Sequence, residues 1–236
     1  MVTNESIWKQ FRRDGKLVET RLLMKVYPAD GIGSWWHIAY AWLDDESDAV
    51  ATAKPISRAR GTAHQVPSTA DCERCHSNVA DVVIGVSAIQ LSTSDGHGAL
   101  SSLVAAGRLT VPPAREFSPP GTGAVQDTLG YLHGNCGHCH NDSDMLASVL
   151  GLRLRLSVND SEIAQTGLYR SIGHSARHDM PGVGSIEIAS GQPDQSQMFV
   201  RMTRRDQGWQ MPPLCTKATD PTGMALVHDW IAALPH

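Results

Sequence analysis

Aromatic residues are scarce in this chain, with Trp 6, Tyr 4 and Phe 3 among 236 residues. They are not interleaved with Lys or Arg, and no basic run occurs. The net charge is −4 with histidine neutral. These absences exclude the usual nucleic-acid surface, which needs clustered cations and stacking platforms. No apolar run approaches the length of a transmembrane helix. No signal peptide shows at the start either, since MVTNESIWKQF is polar where an apolar stretch should stand. Charged residues make up 19% and hydrophobic residues 41%, as expected for a globular protein. The length allows one large domain or two small ones.

Cysteine is also rare, 5 in all, yet four of the five fall into one pattern used twice. Cys72-Glu73-Arg74-Cys75-His76 and Cys136-Gly137-His138-Cys139-His140 are both C-x-x-C-H. Random placement of the cysteines and histidines would give roughly 0.005 such matches. The pattern reads as covalent c-type haem attachment. Two thiols one helical turn apart can add to the two vinyl groups of a porphyrin, and the following histidine becomes the proximal axial ligand. Other readings stand beside it. Paired C-x-x-C motifs also build four-cysteine zinc sites, and a single C-x-x-C can be a redox dithiol. Neither explains a histidine at the same offset in both copies. Moreover, 60 residues separate Cys75 from Cys136, more than a zinc ribbon needs. Two haems would add four propionates to an already acidic chain, and an acidic surface suits a basic redox partner. Cys215 is the odd cysteine: a small buried residue, a free thiol or a contact to another chain.

The expected fold class is α+β. LVETRLLMKVY (Leu17 to Tyr27) and WWHIAYAWL (Trp35 to Leu43) read as strands around the turn cluster PADGIGS, and DAVATA as a third short strand. This predicts a small antiparallel β unit. In VPSTADCERCHSNVADVVIG, Ser68 caps a helix-compatible stretch carrying Cys72, Cys75 and His76. A second helix is expected around Leu100 to Arg108. VPPAREFSPPGTG packs four prolines and two glycines into thirteen residues. It therefore reads as a linker, and the expected domains are 1–117 and 118–236. In the second domain Asp127 is the expected cap of a helix through Leu129, Tyr131 and Leu132 that runs into the second motif. A turn and a short helix follow in SGQPDQSQMFVRMTRR. Asp220 and Pro221 suit the first positions of a terminal helix. Met224, Val227, Ile231 and Leu234 share one face of it.

Helix, C-x-x-C-H, variable middle, Met-Pro and terminal helix is an order that resembles the single-haem cytochrome c domain. VETRLLM, W-x-x-A-Y-A-W, DC-x-x-CH, YLHGNCGHCHND, QMPPL and ALVHDWI together resemble a bacterial family of exported di-haem c-type cytochromes. In that family a β-rich region holds the first haem and an all-α cytochrome c-like domain, whose first and last helices cross, holds the second. The resemblance implies two covalently bound haem c groups, on Cys72, Cys75 and His76 and on Cys136, Cys139 and His140. It implies Met211 as the distal ligand opposite His140. It also implies electron transfer between an exported redox enzyme or membrane complex and an acceptor. Thioether attachment takes place outside the cytoplasm, so the expected location is the periplasm or another extracytoplasmic space, with the export signal removed. Two departures show. The chain starts where the family has a preceding strand and a signal, and Cys215 stands where glycine is expected.

No methionine lies between His76 and Met145, so the first haem cannot repeat the second one's ligand logic within its own segment. Candidates for its sixth ligand are Met24, His37, His64 and His97, with Met24 and His64 leading. Met24 has an apolar strand setting, and His64 sits twelve residues before His76. Two rival functions remain. A di-haem peroxidase needs an open iron position beside an acid–base group, for which His97 or Glu73 is available. A haem-based redox or gas sensor would use the β unit to bind a partner.

Overall fold

The structure, a computed structural model, describes residues 3–79, 82–93, 98–142, 151–206 and 208–235. Four consecutive strands, β1 (Ser6–Arg13), β2 (Lys16–Lys25), β3 (Trp35–Trp42) and β4 (Ala49–Thr52), form an antiparallel sheet in chain order. Period-2 alternation gives the sheet two unlike faces. Leu23 pairs with His37 and Arg21 with Ala39, so these share one face. Met24 pairs with Trp36 and Leu22 with Ile38 on the other. The first face is the covered one: Trp35 and Ala39 are buried on it. Trp8 and Trp36 stand largely exposed on the second.

The register slips between Phe11 and Arg12, where Phe11 faces Glu19 and Arg12 faces Leu17. Val18 is thus an extra residue on β2, a bulge that turns neighbouring side chains to one side. Both Val18 and Glu19 are fully buried as a result. Val18, Ala39, Ala59 and Val66 form a core against which Phe11 and Ile56 pack. The expected strands at 17–27, 35–43 and DAVATA correspond to β2, β3 and β4. β1 was not foreseen; most of its side chains are exposed, so no apolar alternation announces it.

The chain divides into two compact units, Met1–Val82 with Met202–Thr219, and Val83–Arg201 with Asp220–His236. The division falls at Val82 rather than at the proline-rich stretch near 117. The first unit includes α1 (Thr69–His76), capped as expected: Ser68 Oγ accepts from the Asp71 amide, and the Asp71 carboxylate accepts from the Ser68 amide.

The second unit holds α2 (Ala88–Leu91), α3 (Ala99–Ala105), α4 (Gly123–Asn135) and α5 (Gly167–Arg170). It continues through β5 (Ser175–Met180), β6 (Gly184–Ile186), most of α6 (Gln197–Thr203), and α7 (Pro221–Ala232). α2 and α3 belong here because the Phe117 amide donates to Ser92 Oγ at 3.0 Å and Ser87 meets His133 at 2.8 Å. β5 and β6 pair as a two-stranded antiparallel ribbon, so this unit is not all-α as expected. α4 begins at Thr122 and Gly123, not at Asp127, which lies inside the helix. α7 starts as expected, with Asp220 Oδ1 accepting from the Gly223 amide at 3.1 Å.

α4 and α7 pack against each other. Gly223 makes the approach possible: a Cβ there would lie 2.1 Å from Tyr131 Cζ. Thr128 Oγ1 donates to the Leu226 carbonyl at 3.3 Å across the same contact. Leu129, Leu132, Val227 and Ile231 are fully buried. Among the described residues no helix is long and apolar enough to cross a membrane.

Candidate functional site

The first motif lies within α1, on the covered face of the sheet. The i, i+3 spacing of Cys72 and Cys75 puts both thiols on one side of the helix. His76 closes the helix, and its Nδ1 meets the Val82 carbonyl at 2.6 Å. Val82 is buried and holds φ at 64°. A β-branched residue pays for that left-handed conformation, and local strain of this kind persists where the surrounding structure demands it. Here the strained residue is the one whose carbonyl orients the His76 ring.

Beneath α1 lies a buried charge cluster. Glu19 accepts two hydrogen bonds from Arg21, at 2.7 and 3.0 Å, and meets His64 Nε2 at 2.6 Å. Burial works to raise the Glu19 carboxyl, but the bonds from His64 and Arg21 carry it below the usual carboxylate range. The Arg21 guanidinium also lies over the Phe11 ring, 4.4 Å from its centroid.

The structure separates the four candidates for a ligand opposite His76. His64 has its Nε2 committed to Glu19. Met24 is on the far face of the sheet, paired with the exposed Trp36. His97 lies outside the described residues. His37 shares the face on which α1 sits. Its Nε2 is 3.7 Å from Glu73 Oε1 of the motif, and both its ring nitrogens are buried without a hydrogen bond.

The second motif is held differently. It forms a tight turn after α4, in which the Cys139 and His140 amides both donate to the Cys136 carbonyl, at 3.1 and 2.9 Å. Gly137 is required there, since a Cβ would meet the His133 carbonyl at 2.6 Å and Arg155 Cα at 3.0 Å. The 152–156 segment runs along the turn. The Leu154 and Arg155 amides donate to the His140 carbonyl at 2.9 and 3.1 Å, and His140 Nδ1 meets the Leu152 carbonyl at 3.3 Å. Asn141 Nδ2 donates to the carbonyls of Gly137 and His138.

His133, on α4, braces this segment. Its Nδ1 accepts from the Leu156 amide at 3.0 Å. Nε2 must then carry the proton and donate to Ser87 Oγ. The Ser87–His133 pair is therefore unable to work as nucleophile and base, because the nitrogen facing the hydroxyl has no lone pair to offer.

Burial favours the neutral form of both motif histidines. Burial pushes His140 down to about 4. For His76 burial is again the main lowering cause, with the nearby His37 imidazole acting in the same sense against the opposing Val82 bond. Burial also raises the thiols, Cys136 to about 12 and Cys72 to about 11. A redox C-x-x-C works through a lowered thiol pKa, so these buried thiols are poor dithiol reagents. None of the cysteines is in a disulfide. Among the described residues no three His, Cys, Asp or Glu side chains are grouped to hold a metal ion.

Met211 is half-buried and belongs to the first unit, whereas His140 belongs to the second. Cys215, in the same segment as Met211, has φ at 55°, the left-handed region that favours glycine. Its thiol is raised to about 11 by burial and by the Asp71 charge, with Cys75 and Cys72 adding to the effect. It therefore lies near the first motif, a proximity that sequence spacing does not reveal. The chain matches no family model, no curated protein and no solved structure.

Proposed function

We propose that this chain is a di-haem c-type cytochrome that carries electrons between an exported redox enzyme or membrane complex and an acceptor, outside the cytoplasm. The observation that carries the reading is shared by both motifs. Each terminal histidine has Nδ1 against a backbone carbonyl, Val82 for His76 and Leu152 for His140. That bond fixes the tautomer and leaves Nε2 as a lone-pair donor, which is how a metal-bound imidazole is oriented from its second nitrogen. Burial keeps each ring neutral, the only form that can ligate.

The remaining residues fit the group. Cys72 with Cys75, and Cys136 with Cys139, supply the two thiols that each porphyrin needs. Haem, once bound, supplies an iron that changes by one electron. The chain holds the porphyrin edge, presents a neutral imidazole, and sets the potential through ligand identity, burial and local charge. On sequence order Met211 is the proposed thioether donor to a haem. A neutral thioether favours the ferrous state and raises the potential. The contact of α4 with α7 at Gly223 and Tyr131 supports a cytochrome c-like arrangement for the second unit.

A pyridine haemochrome assay on protein matured in a bacterial periplasm, with quantified chain, tests this reading. About two haem c per chain is the expected result. Haem-free protein carrying tightly bound zinc would overturn it.

A further inference from the structure

We propose that His37 is the sixth ligand of the first haem, so that this iron is held between two imidazoles, His76 from α1 and His37 from β3. The inference rests on the di-haem reading and deepens it at one site.

Both ring nitrogens of His37 are buried and neither makes a hydrogen bond. A neutral imidazole has one donor and one acceptor to satisfy, and buried polar groups almost always find partners. Glu73 Oε1 is 3.7 Å from Nε2, beyond hydrogen-bond reach. Glu73 itself is more than half exposed, so it has no need to remain beside the ring. A bond from a ring nitrogen to iron would satisfy the acceptor that the protein leaves empty.

Position is the second support. β3 packs on α1, and strand parity puts His37 on the covered face with Arg21 and Ala39. The same parity removes Met24, which pairs with Trp36 on the opposite face. The bond to Glu19 removes His64, whose Nε2 is the ring nitrogen that it uses. His37 is thus the described histidine that shares a face with the first motif and still has a ring nitrogen to give.

A bis-imidazole iron lacks the thioether that raises the potential of a histidine–methionine haem. The first haem would then be the lower-potential member of the pair and have no open position for peroxide or gas.

The test uses the full holoprotein and reads ligands rather than activity. Near-infrared magnetic circular dichroism separates ferric bis-imidazole from imidazole–thioether haem. Wild type is expected to show one haem of bis-imidazole type. In His37→Ala that band should vanish while the haem count stays at two, and the ferrous protein should gain about one CO site per chain. Added imidazole should restore the band, and His37→Met should convert it to the thioether type. A bis-imidazole band that survives in His37→Ala overturns the assignment, as does a wild-type first haem that takes CO stoichiometrically. If His37→Ala loses haem or fails to fold, the wild-type spectrum and His37→Met decide the question. Absence of haem from wild type is a different failure, which removes the di-haem reading itself.

Discussion

The two C-x-x-C-H motifs repeat the same chemistry in unlike surroundings. The first is written into a helix laid on a sheet, next to Arg21, Glu19 and Asp71. The rise of Cys72 is due first to burial and then to a balance of these charges. The second is a turn clamped by an extended segment, and Cys136 rises higher from burial alone. The histidine tautomer is set by the same device in both, a backbone carbonyl, but one is strained and six residues on while the other is twelve residues on. Local sequence sets the thiol and imidazole pattern, and its neighbours set the electrostatics around it. On the di-haem reading, the Glu19, Arg21 and Asp71 charges beside the first motif and the Arg153 and Arg201 cations near His140 would give two chemically identical cofactors different potentials.

The comparison is broken most severely by removing one motif at a time. Cys136→Ser with Cys139→Ser, and separately Cys72→Ser with Cys75→Ser, should each leave about one covalent haem per chain in the haemochrome assay. The two products should differ in potential, with the protein that keeps the second motif titrating higher.

Glu19→Ala comes next. It strands Arg21 and His64 over a buried site, and loss of one partner from a buried pair costs about 3–5 kcal/mol. Urea unfolding should show the loss, and Glu19→Gln should recover part of it. The counterpart in the second unit is Gly223→Val, which drives a side chain into Tyr131. Overpacking of this kind costs about 1–3 kcal/mol, visible as a lower Tm.

The pH dependence should separate the units as well. His133 is pushed down to about 4 by burial first and then by Arg155. Between its unfolded value, about 6.5, and that folded value, the unfolded chain binds more protons than the folded one. Stability therefore falls as pH drops from about 6.5 toward 4, by up to about 3 kcal/mol, and is level above that window. His133→Asn should flatten the slope in denaturant titrations of the holoprotein. The smallest effect should come from Cys215→Gly. Relieving a left-handed cysteine should stabilise the chain by about 0.5–1 kcal/mol, measured as an upward shift in Tm.

Much of this was legible in the sequence. The alternation in 17–27 and 35–43, the Ser68 and Asp220 caps and the paired motifs each carry a short-range signal. What escaped depends on long-range pairing. Glu19 and His64 are 45 residues apart, so no window shows that His64 is already engaged. Met24 looked apt because its strand is apolar, but only the register reveals that its face is not the one that receives α1. β1 offered few buried side chains to announce it, and the β5–β6 ribbon rests on a short pairing with an irregular register. The expectation of glycine at 215 was informative even where the residue differs, because the backbone there does take the conformation glycine prefers.

The division of the chain has a consequence for its synthesis. The first unit needs residues 202–219, and the second needs the helix that follows them. A nascent chain that has reached residue 201 already holds all four motif cysteines, yet has neither unit complete. Until residues 202–219 and the helix after them are added, each unit lacks part of the contacts that close it over its motif.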